Sequence, residues 1–297
     1  MEYNSLKELG EKLDLLHKLY DSMRLVDPVY KTVIDCQCSS LIETGELCYD
    51  FWKNGQVCDN CISIRAFKES KSFMKLEHNQ ATVYLMTAIP IENNERPLIL
   101  ELQKNASDSM LVGTGDQGES KLLTQFIDEM NDLVTKDALT SLYNRRFVNE
   151  RLPADILKAK QNHQPLSLCF FDINNLKTLN DLYGHEAGDW AIKTVGEVLA
   201  NNIREQQDWA SRYGGDEFVL CFNNTGEKQA HVVAERIKHE IENIPLKYDL
   251  DEGMLSITYG IKNITYEIKN TGETLITADE LIRDADKAMY QAKKKKT

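Results

Sequence analysis

Arg212-Tyr-Gly-Gly-Asp-Glu-Phe-Val-Leu-Cys-Phe222 sets a glycine pair and two acidic residues against a strand-like apolar run. From Ser211 to Phe222 it predicts two strands around a tight turn at Gly214-Gly215, since both glycines can take positive φ. Asp216 and Glu217 would then stand beside the turn, at an exposed strand tip. Alone the pair says little, because acidic residues after such a turn are usually just solvated. Strict alternation also points neighbouring strand residues to opposite faces. The turn must therefore distort if both carboxylates are to serve one site.

A second acidic centre gives the first one meaning. Pro165-Leu-Ser-Leu-Cys-Phe-Phe-Asp172 reads as a buried central strand with Asp172 emerging at its end. If that strand neighbours the hairpin, Asp172 converges on Asp216 and Glu217. Carboxylates from adjacent strand ends can hold Mg²⁺ (or Mn²⁺) with positions open for triphosphate oxygens. The stretch after Asp172 runs Ile-Asn-Asn-Leu-Lys-Thr-Leu-Asn-Asp-Leu-Tyr-Gly-His-Glu-Ala-Gly-Asp189. It is polar where a core segment would be apolar, and it offers turn N–H groups and Lys177 to phosphates. Asn180 and Asp189 are an amide and a carboxylate able to read a base edge. Guanine presents two neighbouring donors to one carboxylate, which adenine does not. Asp189 can equally serve as N-cap of a helix over 189–201, and the two roles are compatible.

Residues 137–297 resemble a GGDEF domain of the diguanylate cyclase family. The likeness rests on four motifs in order: DALTSLYNRRF, FFDINNLKTLNDLYGHEAGD, RYGGDEF and ADKAMYQAKKKK. It implies a palm-like fold, a central sheet flanked by helices. It also implies a nucleotidyltransferase reaction in which two GTP condense to cyclic di-GMP, one GTP in each half-site of a homodimer. By the same resemblance Asp172, the main-chain carbonyl of Ile173, Asp216 and Glu217 are metal ligands, and Asp216 is the general base toward the attacking 3′-hydroxyl. Asn180 and Asp189 read guanine, His185 contacts substrate, and Lys177 and Lys293 contact phosphate. In-line nucleotidyl transfer needs placement of the attacking oxygen and neutralised phosphate charge, which divalent cations and lysines supply.

Two positions depart from the family. Its C-terminal Gly-Arg-Asn arginine is Thr297 here, with Lys294, Lys295 and Lys296 as point charges nearby. Its product-inhibition motif, Arg-x-x-Asp, reads Glu205-Gln-Gln-Asp208. An anion in place of the arginine repels phosphate and lacks the planar donor fork. Arg204, one residue away on a helix end, would point about 100° round. The expectation is that product does not inhibit through this site.

Outward from this region, 297 residues suggest about two domains. We expect a sensor domain at 1–107, a flexible stretch and signalling helix at 108–136, and the GGDEF domain at 137–297, in an α+β or α/β class. Residues 4–22 predict an amphipathic helix, and Thr82–Ile91 and Leu98–Leu102 predict strands. The segment KLLTQFIDEMNDLVTKDALT carries a stripe of Leu123, Phe126 or Ile127, Met130, and Leu133 or Val134. That stripe is either a core face or a seam between two copies. The net charge of −12, from 35 basic and 47 acidic residues, argues against broad nucleic-acid or anionic-membrane binding. No run approaches the ~20 apolar residues of a membrane span. The N-terminal MEYNSLKELGEK has no signal-peptide pattern, so the expected location is cytoplasmic.

Cys36, Cys38, Cys48, Cys58 and Cys61 lie between positions 36 and 61. CxxC beside other cysteines has the spacing of a structural Zn²⁺ site or of a redox-responsive thiol set, with ordinary reduced cysteines as the third reading, and all three stay open. Cys169 and Cys221 fall in strand runs and read as core. The first region resembles, more weakly, a PAS-type sensor with an unidentified sensory ligand. For the whole chain the leading reading is an active cyclase controlled by that sensor. The alternative is a catalytically silent domain that binds GTP or a partner, against which stand Asp172, Gly214, Gly215, Asp216 and Glu217, all retained.

Overall fold

A computed structural model describes residues 19–37, 40–52, 57–79, 82–92, 96–107, 119–205, 207–245, 255–266 and 276–294. The chain forms two compact units, 1–134 and 135–297. Most of the sequence-predicted helix over 4–22 lies outside the described residues, and by Ser22 the chain has already entered a strand.

The first unit is built on a six-stranded antiparallel sheet. Its strands are β1 (Ser22–Val26), β2 (Thr32–Gln37), β3 (Ser40–Leu47), β4 (Phe73–Asn79), β5 (Thr82–Ile91) and β6 (Leu98–Asn105), in the order β3-β2-β1-β6-β5-β4. Leu25, Ile34, Leu98, Leu100 and Leu102 form an apolar cluster on one face. Arg24, Glu101 and Gln103 alternate with them and point to the other face. Helix α1 (Ile62–Glu69) buries Ile62, Ser63, Ile64 and Ala66, and Ser63 reaches Glu101 on that second face. Helix α2 (Glu119–Thr135) inserts Ile127 between Val83 and Ala106. Phe126, Met130 and Leu133 stay exposed, Leu133 at 76%. The predicted stripe is thus split: Ile127 is core, and its neighbours form a separate exposed line.

The second unit holds β7 (Tyr143–Asn144), β8 (Leu166–Ile173), β9 (Trp209–Gly214), β10 (Glu217–Asn223) and β11 (Ile257–Ile264), ordered β11-β8-β10-β9-β7. Its helices are α3 (Arg145–Gln161), α4 (Leu176–Tyr183), α5 (His185–Asn201), α6 (Glu227–Glu242) and α7 (Ala278–Lys294). Every residue of β8 is buried. Cys169, Phe171, Phe218 and Leu220 pack with α5 and α6 on one face. Leu168, Phe170, Val219 and Cys221 pack with α3 and α7 on the other. A strand covered on both faces reads as a continuous apolar run, which is the pattern of LSLCFF. Cys169 and Cys221 are fully buried within it. Helix α7 lies directly on β11 at Gly260, where an added Cβ would stand 2.0 Å from the Met289 nitrogen. That seat fixes where Lys293, one turn further along α7, arrives.

Candidate active site

β10 pairs antiparallel with β8, placing Glu217 opposite Asp172. The turn between β9 and β10 is Gly215-Asp216, one residue later than the sequence suggests. Gly214 still belongs to β9, and of the two glycines Gly215 alone takes positive φ, at +25°. Register then slips: Glu217 faces Gly214 but Phe218 faces Arg212, leaving Tyr213 as an extra residue. This β-bulge is the distortion that the two adjacent carboxylates require. The Ile173 N–H donates to the Asp216 carbonyl at 3.2 Å, tying the turn to the end of β8.

Two residues not singled out from sequence hold this tip. Arg212 donates from Nε and Nη2 to the Gly215 carbonyl at 3.0 and 2.9 Å, and from Nη1 to the Asp137 carboxylate at 3.3 Å. Asp137 also accepts from the N–H groups of Leu139 and Thr140 and from the Thr140 hydroxyl. Both residues lie inside motifs already quoted. The cue was there: an acidic residue opening the DALTSLYN stretch and an arginine two residues before the glycine pair.

The electrostatics of the strand end are those of an acidic cluster that Lys293 and Arg145 offset only in part. Asp172 is raised above the usual carboxylate range, first by burial, with Asp216 and Asp286 adding to it. Lys293, hydrogen-bonded to Asp172 Oδ1 at 2.5 Å, opposes the rise. Glu217 is raised by burial and by the charges of Asp172, Asp216 and Asp286, against Arg145. Asp286 and Arg145 are further residues the sequence did not single out. Among the described residues no group of three or more His, Cys, Asp or Glu side chains stands in metal-binding geometry. The donor set nonetheless fits a hard divalent cation: all-oxygen, partly desolvated and mutually repelling.

The polar stretch after Asp172 is largely helical rather than a loop. Lys177 and Asn180 lie on α4, and His185 opens α5 after Gly184 at φ +83°. Asp189 therefore sits inside α5, not at its N-cap, because Gly184 lets the helix start four residues earlier. Asn180 Oδ1 is buried without a hydrogen-bond partner, and an added Cβ at Gly188 would lie 2.0 Å from it. The amide thus lies against Gly188 on α5, the residue before the exposed Asp189. Lys177 and His185 are exposed on the same two helices. The structure gathers Asp172, Ile173, Asp216, Glu217 and Lys293 at one strand end, and Asn180 with Asp189 on α4 and α5.

At the feedback position, Arg204 lies in the loop after α5 rather than on the helix. Its Nε and Nη2 each bond one Asp208 oxygen at 2.7 Å, and Nη2 also reaches the Asn223 carbonyl and the Thr225 hydroxyl. This guanidinium is committed internally, and Glu205 is exposed beside it. Added cyclic di-GMP is therefore expected to leave the initial rate of product formation unchanged. Sub-micromolar inhibition that disappears in Asp208→Asn would overturn this.

A family model described as "Diguanylate cyclase, GGDEF domain" matches residues 134–297. The chain belongs to the GGDEF family. It is 32% identical over 240 residues to diguanylate cyclase DosC of Escherichia coli K12, covering 79% of this chain and 50% of DosC. It is 33% identical over 135 residues to the response regulator PleD of Caulobacter vibrioides NA1000, covering 46% of this chain and 30% of PleD. The chain thus spans half or less of the length of these relatives. The coiled coil and GGDEF domain of DgcB from Caulobacter crescentus, solved with c-di-GMP, is 25% identical with a TM-score of 0.53, over 60% of this chain and 90% of that one. The GGDEF unit is a mixed α/β domain with a central sheet and flanking helices. No helix among the described residues is long and apolar enough to cross a membrane.

Proposed function

We propose that this protein is a diguanylate cyclase, condensing two GTP into cyclic di-GMP and two pyrophosphate. The observation that carries the reading is the register that sets Glu217 against Asp172 with Asp216 in the adjoining turn. Divalent cations, Mg²⁺ or Mn²⁺, held by Asp172, the Ile173 carbonyl, Asp216 and Glu217, would neutralise phosphate charge. Asp216 would accept the proton of the attacking 3′-hydroxyl. Lys293 and Lys177 would bind phosphate oxygens, and Asn180 and Asp189 would orient guanine, with His185 at its edge. The orphaned Asn180 oxygen supports this, since a buried acceptor without a partner is costly until a ligand supplies a donor.

Joining two substrates calls for two half-sites, and the reading includes a homodimer. Phe126, Met130 and Leu133 are exposed on α2 at spacings of four and three, the pattern of a coiled-coil seam. The DgcB structure comprises a coiled coil and a GGDEF domain. The first unit would be a PAS-like sensor that controls the cyclase, in a cytoplasmic protein. The competing reading, a GTP-binding but silent domain, draws on the Lys293 ammonium that already occupies Asp172.

Incubation of the purified chain with GTP and Mg²⁺, at concentrations that favour dimers, should yield cyclic di-GMP by chromatography. Absence of product with GTP still bound would establish the silent reading. If Asp189 reads guanine, Asp189→Ser should lower the preference for GTP over ATP, because a site built on polar contacts rejects a mismatch strongly. An unchanged ratio in competition assays would remove Asp189 from that role.

A further inference from the structure

We propose that Arg145 is a substrate-binding residue of the cyclase site, its guanidinium holding the β- and γ-phosphates of GTP that leave as pyrophosphate. The inference rests on the cyclase reading above. β7 runs parallel to β9, with Tyr143 beside Ser211 and Asn144 beside Arg212. One step further along both strands, Arg145, the first residue of α3, comes beside Tyr213, the extra residue of the bulge. The Arg145 guanidinium lies over the Tyr213 ring, 4.6 Å from its centroid. That ring meets Phe170 edge-on at 5.6 Å. Phe170 stands on β8 two residues before Asp172 and so on the same face of the sheet. Two ring contacts thus carry the cation to the strand end where the carboxylates gather.

Arg212 and Lys293, the other cations at this end, are already committed. Arg212 directs its donors to the Gly215 carbonyl and the Asp137 carboxylate, and Lys293 is hydrogen-bonded to Asp172. Arg145 is exposed and forms no hydrogen bond or ion pair with another described residue. Contact with a ring face engages its charge but none of its five N–H donors in a bond to oxygen, so the planar fork stays available for an anion. Its charge also acts on Glu217, opposing the rise that burial and the neighbouring carboxylates produce. Position then decides which part of the nucleotide it meets. Arg145 and Lys293 arrive from α3 and α7, which cover one face of the sheet. Asn180 and Asp189, the candidates for the base, arrive from α4 and α5, which cover the other. The nucleotide would lie across the strand end, base toward α4 and α5 and terminal phosphates toward α3 and α7.

In the reaction the 3′-oxygen of one GTP bonds to the α-phosphorus of the other, its proton passing to Asp216. The bond that breaks joins that phosphorus to the oxygen bridging to the β-phosphate, and its electron pair leaves with pyrophosphate. Negative charge therefore builds on the β-phosphate side. A guanidinium fork already placed there binds that charge more strongly as the bond lengthens, and its charge-assisted bonds are about twice as strong as neutral ones.

The test compares the full chain with its Arg145→Gln and Arg145→Lys variants. Calorimetry with Mg²⁺ present measures binding of pyrophosphate, of GMP, and of a GTP analogue carrying a methylene between its α- and β-phosphates, which binds without turnover. KM and kcat for GTP are measured beside them. Arg145→Gln should weaken pyrophosphate and the analogue at least ~10-fold, the scale of losing hydrogen bonds to a charged group, and raise KM by a similar factor. Arg145→Lys should recover only part of the loss, since an ammonium restores the charge without the fork. GMP, which lacks the β- and γ-phosphates, should not distinguish the variants from the parent. Pyrophosphate and analogue affinities within two-fold of the parent in Arg145→Gln would overturn the assignment. So would a loss shared equally by GMP, which would make Arg145 a support for the bulge. The cyclase reading fails separately: a parent chain that binds the analogue through Arg145 yet forms no cyclic di-GMP would keep the phosphate contact and place it in a silent domain.

Discussion

Asp216→Ala is expected to lower cyclic di-GMP formation at least ~10²-fold, the scale of losing a general base. The side chain it removes sits on the turn whose carbonyl accepts from Ile173, and that hydrogen bond is main-chain and survives. Asp172→Ala should cost as much by a different route, since it removes the buried carboxylate that faces Glu217 across the ladder. The two should also differ in stability. Asp216 lies in a turn, whereas Asp172 is 8% exposed and its loss removes the carboxylate hydrogen-bonded to Lys293. Turnover by Asp216→Ala within a few-fold of the parent would remove Asp216 from the chemistry altogether.

Gly260→Ala should be the most damaging conservative change in the GGDEF unit. A methyl group there would meet the Met289 nitrogen at 2.0 Å, the Ala285 oxygen at 2.5 Å and the Ala288 carbonyl carbon at 2.6 Å. All three are backbone atoms of one helix, so no rotamer change relieves the clash and α7 must move off β11. Overpacking of this kind costs ~3 kcal/mol. In a unit of this size that corresponds to a fall in Tm of roughly 6–12 °C. Activity should fall further than stability, because α7 carries Lys293. A thermal scan in which Gly260→Ala matches the parent would show that the helix is not seated as described. Gly188→Ala makes a useful contrast. There the obstructing atom is the end of the Asn180 side chain, which can swing away, so base selection rather than stability should suffer.

The sequence made the GGDEF unit legible because its decisive residues sit at discontinuities of pattern. LSLCFF is apolar without alternation and then breaks at Asp172, which is how a strand covered on both faces ends at a surface. Gly214-Gly215 announced a turn, but not which glycine would occupy it. The bulge at Tyr213 decides that, and bulges depend on cross-strand register rather than on local propensity. Asp189 looked like an N-cap because acidic residues favour that position, yet Gly184 starts α5 earlier by taking a φ few other residues accept. Asp286 and Arg145 could not be found by spacing at all, since only the packing of α3 and α7 brings them to the strand end. In the first unit the cysteine spacing was visible. The lysine beside them was not: Lys31 Nζ reaches Cys61 Sγ at 3.3 Å, but thirty residues separate the two and the charge of Lys31 reads as solvent-facing.

The double coverage of β8 and β10 also has a kinetic meaning. Amides of a ladder buried on both faces exchange with solvent only when the whole cooperative unit opens, whereas those of exposed turns exchange by local fraying. Asp172 and Glu217 terminate that ladder, so the carboxylates that matter most are anchored to the slowest-opening part of the domain. Heating should then leave their spacing intact until global melting, with no gradual loosening of the site beforehand. The groups proposed to face the nucleobase, Asn180 and Asp189, sit instead on the short helix α4 and the first turns of α5, on either side of Gly184. Substrate would meet a fixed electrostatic floor and a more yielding wall, so the timescale of nucleotide entry would be set by the wall.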